Sequence, residues 1–139
     1  MQNTKYKNKR VFKFQIQIYM YVNKMIHMNE GQYQKVASKN DLQEGGLLKV
    51  EARGKQIVLS MVEGKIYAID QICTHEGGPL DEGEIKGYNL KCPWHYAVFD
   101  VRNGKVSDAT VWATDLASYD VKVDETNGDI LVNPDGKRT

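Results

Sequence analysis

Residues 47–70 read LLKVEARGKQIVLSMVEGKIYAID. Leu47–Ala52, Gln56–Val62 and Ile66–Asp70 are β-branched or apolar segments of strand length. Arg53-Gly54-Lys55 separates the first two, and Glu63-Gly64-Lys65 joins the second to the third as a hairpin. Working outward, Tyr88–Lys91 and Val98–Val101 read as strands flanking Cys92–His95, and Asn103-Gly104 marks a further turn. Ser118–Val123 and Asp129–Val132 close around Thr126-Asn127-Gly128 as a second hairpin. From residue 31 onward no window carries a long helical period, and Ser38–Glu44 offers at most one turn of helix. The fold expected is all-β: antiparallel sheets arranged as a compact sandwich or small barrel.

The chain has 139 residues, a length that suits one domain able to bury a core without disulfide staples. Two cysteines are too few for a disulfide-rich secreted scaffold, and no apolar run is long enough to span a membrane. The net charge of +1 argues against a nucleic-acid partner and against a membrane surface, but it conceals an asymmetry. Residues 1–29 hold six basic residues and no acid; residues 30–139 hold 13 basic and 18 acidic residues, a net of −5. The expected organisation is a basic N-terminal extension over residues 1–30 and a body over residues 31–139. In the extension, Phe12, Phe14, Ile16, Ile18, Met20 and Val22 alternate with polar residues and tyrosines, a period of two that predicts an added strand. The same stretch lacks the uninterrupted apolar core of a secretory signal, so the cytoplasm is the expected location.

The scarce residues are the informative ones. Cys73-Thr74-His75 and Cys92-Pro93-Trp94-His95 use both cysteines and two of the three histidines, with sixteen residues between His75 and Cys92. Each group falls in a Gly- or Pro-containing loop between predicted strands, so the two loops can present two thiolates and two imidazoles to one centre. Such a set suits tetrahedral zinc or an iron–sulfur cluster of mixed ligation. Zinc fingers usually pair Cys with Cys and His with His; here each loop gives one of each, which favours a two-iron cluster. Structural zinc in an interaction module, or idle buried thiols, are the alternatives. His27 has no partner at ligand spacing and reads as an ordinary histidine.

Cys-x-His followed after sixteen residues by Cys-Pro-Trp-His resembles the Rieske [2Fe–2S] signature, and Cys92–Asp100, CPWHYAVFD, resembles its low-potential ferredoxin branch. The resemblance covers residues 31–139. It implies that Cys73 and Cys92 hold one iron and His75 and His95 the other, in a subdomain made by two loops at the tip of small antiparallel sheets. It further implies a soluble one-electron carrier without catalytic residues of its own, passing electrons from a flavoprotein reductase to an oxygenase or other redox enzyme through transient complexes. A small Rieske subunit of a reductase, such as a nitrite reductase, or of an oxygenase is the alternative. A complete oxygenase needs a second iron site, and only His27 is left to build one.

Departures from the family pattern refine the expectation. The high-potential Rieske proteins carry an extra disulfide-bonded Cys in each loop, where this chain has Gly78 and Trp94. They also place a hydroxyl-bearing Ser and Tyr where Ala97 and Phe99 stand here. Fewer donors to sulfur, together with the nearby acids Glu76, Asp81, Glu82, Glu84 and Asp100, place the expected potential at roughly −150 mV, the low end of the Rieske range. Histidine ligation also implies a potential that becomes pH-dependent in the alkaline range. Trp94 is expected to pack beside the cluster and limit water. Tyr96 stands where the ferredoxin branch often has Gly.

Overall fold

The computed structural model describes residues 13–21 and 32–137. The chain divides into two units, Met1–Gln32 and Tyr33–Thr139. The described residues of the second unit form nine strands: β1 (Gln34–Ser38), β2 (Leu47–Ala52), β3 (Lys55–Val62), β4 (Lys65–Asp70), β5 (Glu84–Lys86), β6 (Asn89–Lys91), β7 (Val98–Asp100), β8 (Ser118–Asp124) and β9 (Asp129–Lys137). Every pairing between them is antiparallel. Six form one sheet in the order β1-β9-β8-β4-β3-β2, which curls into a nearly closed barrel. The two edges meet where the Gln34 side chain accepts the Arg53 backbone N–H at 3.2 Å. The remaining three form a small sheet, β5-β6-β7, that carries the second Cys-His loop. This is the all-β architecture that the strand pattern predicts.

Tight turns set the register. Ala52 pairs with Lys55 and Val62 with Lys65, so each hairpin closes through two residues, Arg53-Gly54 and Glu63-Gly64, and the lysines belong to the strands. All four turn residues have positive φ, the primed geometry that matches strand twist. The Glu44 carboxylate accepts both the Glu63 and Gly64 N–H groups, at 2.7 and 2.8 Å, and satisfies the second turn from outside.

Strands β3 and β4 are buried on both faces, which explains their almost continuous apolar sequence. Ile57, Leu59, Met61, Ile66 and Ala68 pack with Ile130, Val132 and Tyr119 inside the barrel. Val58, Val62, Tyr67 and Ile69 face the other way and pack with Leu80, Leu90, Phe99, Val101 and Leu116 beneath the small sheet. Cys73 and Cys92 belong to that second cluster, so the site stands on a packed base.

Two strands escape a sequence reading. β1 has the weakly patterned sequence QKVAS and pairs with β9 through an irregularity between Lys35 and Ala37. β5 is only three residues, Glu-Ile-Lys. The helical turn expected within Ser38–Glu44 is a 3-10 turn over Lys39–Asp41.

The leader corrects one expectation. Residues 13–21 are helical and all exposed, so the added strand expected over Phe12–Val22 does not form there. A strand completes its backbone hydrogen bonds only against a neighbour, whereas a helix completes them within itself. No Gly or Pro interrupts residues 11–30, so nothing local forbids that solution. Phe12 and Val22 lie outside the described residues, as does His27. Among the described residues, no helix is long and apolar enough to cross a membrane.

Candidate metal centre

The two Cys-His loops are built to one plan. In the first, between β4 and β5, the Cys73 N–H donates to Gly78 O at 2.9 Å and the Gly77 N–H donates to Cys73 O at 3.1 Å. In the second, between β6 and β7, the Cys92 N–H donates to Ala97 O at 2.7 Å and the Tyr96 N–H to Cys92 O at 3.1 Å. The fifth residue of each turn is left-handed, Gly77 at φ +74° and Tyr96 at φ +64°. Tyr96 therefore adopts a left-handed backbone that favours glycine, at a cost of about 1–2 kcal/mol for a side-chain-bearing residue. Lys91 Nζ lies 5.0 Å from the centre of its ring, a contact that partly offsets that cost.

Side chains brace the loops from behind. Gln71 is buried, donates to Asp81 Oδ1 at 2.6 Å, and accepts the Leu80 N–H on its backbone oxygen at 2.9 Å. Thr74 Oγ1 donates to Thr114 O at 2.7 Å and accepts the Thr114 N–H at 3.0 Å, tying the first loop to the segment that leads into β8. A Cβ built on Gly78 would lie 2.5 Å from Cys92 Sγ and 3.4 Å from Trp94 Cγ. The loops touch at that point, and only glycine fits.

The four ligand candidates divide by depth. Cys73 and Cys92 are both buried and free. Burial is the main reason the Cys73 thiol is pushed up; backbone N–H groups from His75 and Glu76 oppose this, while the adjacent Cys92 adds to it. A thiol raised in this way holds its proton until a cation displaces it. The imidazoles of His75 and His95 lie above, edge to face at 78°, with centroids 4.8 Å apart. His95 Nε2 is 2.7 Å from Glu76 Oε2. A carboxylate can only accept, so Nε2 carries a proton, and in the neutral ring this leaves the free lone pair on Nδ1. His75 Nδ1 is buried and has no hydrogen-bond partner. Buried polar atoms are rarely left so, and a metal ligand is one of the few roles that explains it.

The surroundings test the finer expectations. Ala97 and Phe99 are fully buried and bring no side-chain donor to the site. Trp94 lies over Gly78, yet 54% of it is exposed, so its shielding is partial. Of the nearby acids, Asp100 is neutralised by Arg102, whose guanidinium lies 2.8 Å away and holds the carboxyl below its usual range. Glu76 is the acid that touches a ligand candidate. In the sequence it shows only as local charge, because nothing in the spacing reveals that it reaches the opposite loop.

The family model of the Rieske [2Fe-2S] domain matches residues 32–120. The chain belongs to the Rieske [2Fe–2S] domain family. Among curated proteins, it is 39% identical over 88 residues to the ferredoxin component of the naphthalene 1,2-dioxygenase/salicylate 5-hydroxylase systems of Ralstonia sp, covering 63% of this chain and 84% of that one. It is also 39% identical over 85 residues to the ferredoxin component of the naphthalene 1,2-dioxygenase system of Pseudomonas putida, covering 61% and 81%. Among solved structures, it resembles the ferredoxin of carbazole 1,9a-dioxygenase from Nocardioides aromaticivorans IC177, with a TM-score of 0.68 and 30% identity over 73% of this chain and 97% of that one. A chain in the complex of reduced oxygenase and oxidized ferredoxin in carbazole 1,9a-dioxygenase matches with a TM-score of 0.68 and 28% identity, over 77% and 96%.

Proposed function

We propose that this Rieske chain binds one [2Fe–2S] cluster through Cys73, His75, Cys92 and His95 and serves as a one-electron carrier between a reductase and an oxygenase. The observation that carries this reading is the paired site: two buried thiols beneath two imidazoles, with His75 Nδ1 left without a partner. Cys73 and Cys92 would take one iron and His75 and His95, each through Nδ1, the other. When bound, the cluster supplies a centre that accepts and releases a single electron.

The chain's own residues do the rest. The packed base beneath β6 and β7 keeps water from the sulfur side. The matched turns hold the loops at fixed separation, which limits rearrangement when charge changes. His95 and Trp94 face outward, so a partner can approach the imidazole edge directly. The net charge of −5 over residues 30–139 favours a basic partner surface, with association slowing as salt rises.

The likeness to ferredoxin components over more than four-fifths of their length favours a carrier over an enzyme subunit. Residues 31–139 are assigned as the cluster domain and residues 1–30 as a basic extension. Free buried thiols fit a reducing compartment such as the cytoplasm. Analysis of iron and acid-labile sulfide tests the reading. Equal amounts of both, with an EPR signal appearing on reduction, support it; zinc without sulfide refutes it.

A further inference from the structure

Glu76 follows His75 in the chain, yet its carboxylate reaches across to the other loop and meets His95 Nε2 at 2.7 Å. Both groups are well exposed, the histidine side chain at 46% and the glutamate at 59%. An exposed pair of this kind adds little to stability. Stability alone is therefore a weak account of a contact that joins two ligand loops at their rim. The contact has a direct chemical consequence, because it fixes which nitrogen of His95 carries the proton and aims the other inward. It also sets His95 apart from His75, which makes no hydrogen bond or ion pair with a carboxylate among the described residues.

The geometry points to Glu76 as a positioning residue that locks the ring and tautomer of His95 and makes it the more electron-donating of the two histidines. A carboxylate drawing on an imidazole N–H raises the basicity of the other nitrogen. A more basic ligand favours the oxidised metal, so Glu76 lowers the reduction potential. It does so through one named ring rather than through bulk negative charge. This inference rests on the cluster reading above.

The test compares three variants of the full-length, cluster-loaded protein. Glu76→Gln keeps an acceptor oxygen at the same reach but removes the charge. Glu76→Leu removes both. Glu82→Gln makes the same charge change at an exposed glutamate beside the Cys92 loop that does not touch His95. Both Glu76 variants are expected to raise the potential by more than Glu82→Gln does. Glu76→Leu is also expected to speed cluster loss 10- to 100-fold, the usual scale for losing an outer-shell partner, while Glu76→Gln largely retains the cluster. With 15N-labelled histidine, the pulsed-EPR coupling of one nitrogen should change in Glu76→Leu and the other stay fixed. Equal shifts in Glu76→Gln and Glu82→Gln, or unchanged nitrogen couplings, would overturn the inference while leaving the cluster reading intact. A wild-type protein without iron and sulfide would instead remove the cluster reading beneath it.

Discussion

Gly77 and Tyr96 occupy the same place in two matched turns, with φ of +74° and +64° and equivalent N–H bonds back to Cys73 and Cys92. The two residues are chemically unlike, so they isolate the cost of the left-handed backbone. A Cβ on Gly77 would meet only Ile72 Cγ2, at 3.8 Å, an ordinary contact. Gly77→Ala is therefore expected to cost about 1–2 kcal/mol through backbone strain alone. Tyr96→Gly relieves that strain but gives up the ring's contact with Lys91, so its net gain should be smaller. Thermal midpoints of the cluster-loaded variants check both signs.

Gly78 gives a sharper outcome one residue later. Its φ is not left-handed, but the Cβ of Gly78→Ala would lie 2.5 Å from Cys92 Sγ. That thiol must move for the substitution to be accommodated. Gly78→Ala is expected to lose most bound iron while keeping the far-UV circular dichroism of the barrel, whose core inside the six-stranded sheet is separate. Full iron content in this variant would show that the two loops do not need to touch.

The reduction potential should lie near the low end of the Rieske range, roughly −150 mV, since Ala97 and Phe99 bring no hydroxyl donors. Ala97→Ser combined with Phe99→Tyr is expected to raise it, because donors to sulfur stabilise the reduced, more negative state. Redox titration of the double variant checks this; a lower or unchanged value contradicts it.

Much of this was legible in the sequence, and the reasons for the gaps are physical. β3 and β4 could be read because strands buried on both faces show near-continuous apolar runs, and their turns carry Gly at fixed places. The four ligand candidates stood out because Cys and His are scarce and regularly spaced. β1 and β5 leave no readable pattern because each is short and owes its order to a partner strand, not to its own sequence. The leader misled because alternation is evidence for a strand only where an edge is available to pair with it; residues 13–21 are helical instead. The Thr74–Thr114 tie and the Glu76–His95 contact bridge distant or opposing loops, and spacing carries no trace of either.

Tyr119 supplies a pH dependence away from the metal centre. Its hydroxyl donates to Asp70 Oδ1, and burial, then that hydrogen bond, push its ionisation well above the ordinary value of 10.0. A raised value in the folded state means that the unfolded chain loses this proton first. The contribution to stability is complete below about pH 10 and declines as pH rises beyond it. Denaturant unfolding should show stability falling above that point, and Tyr119→Phe should lower stability near neutrality while flattening the alkaline decline.

The central claim is mixed ligation, with thiolates on one iron and imidazoles on the other. Pulsed EPR of the reduced protein, grown with 15N-labelled histidine, tests it most directly. The account requires couplings from two histidine nitrogens in the wild type and the loss of one in each of His75→Cys and His95→Cys that retains a cluster. A reduced cluster with no histidine nitrogen coupling would contradict it.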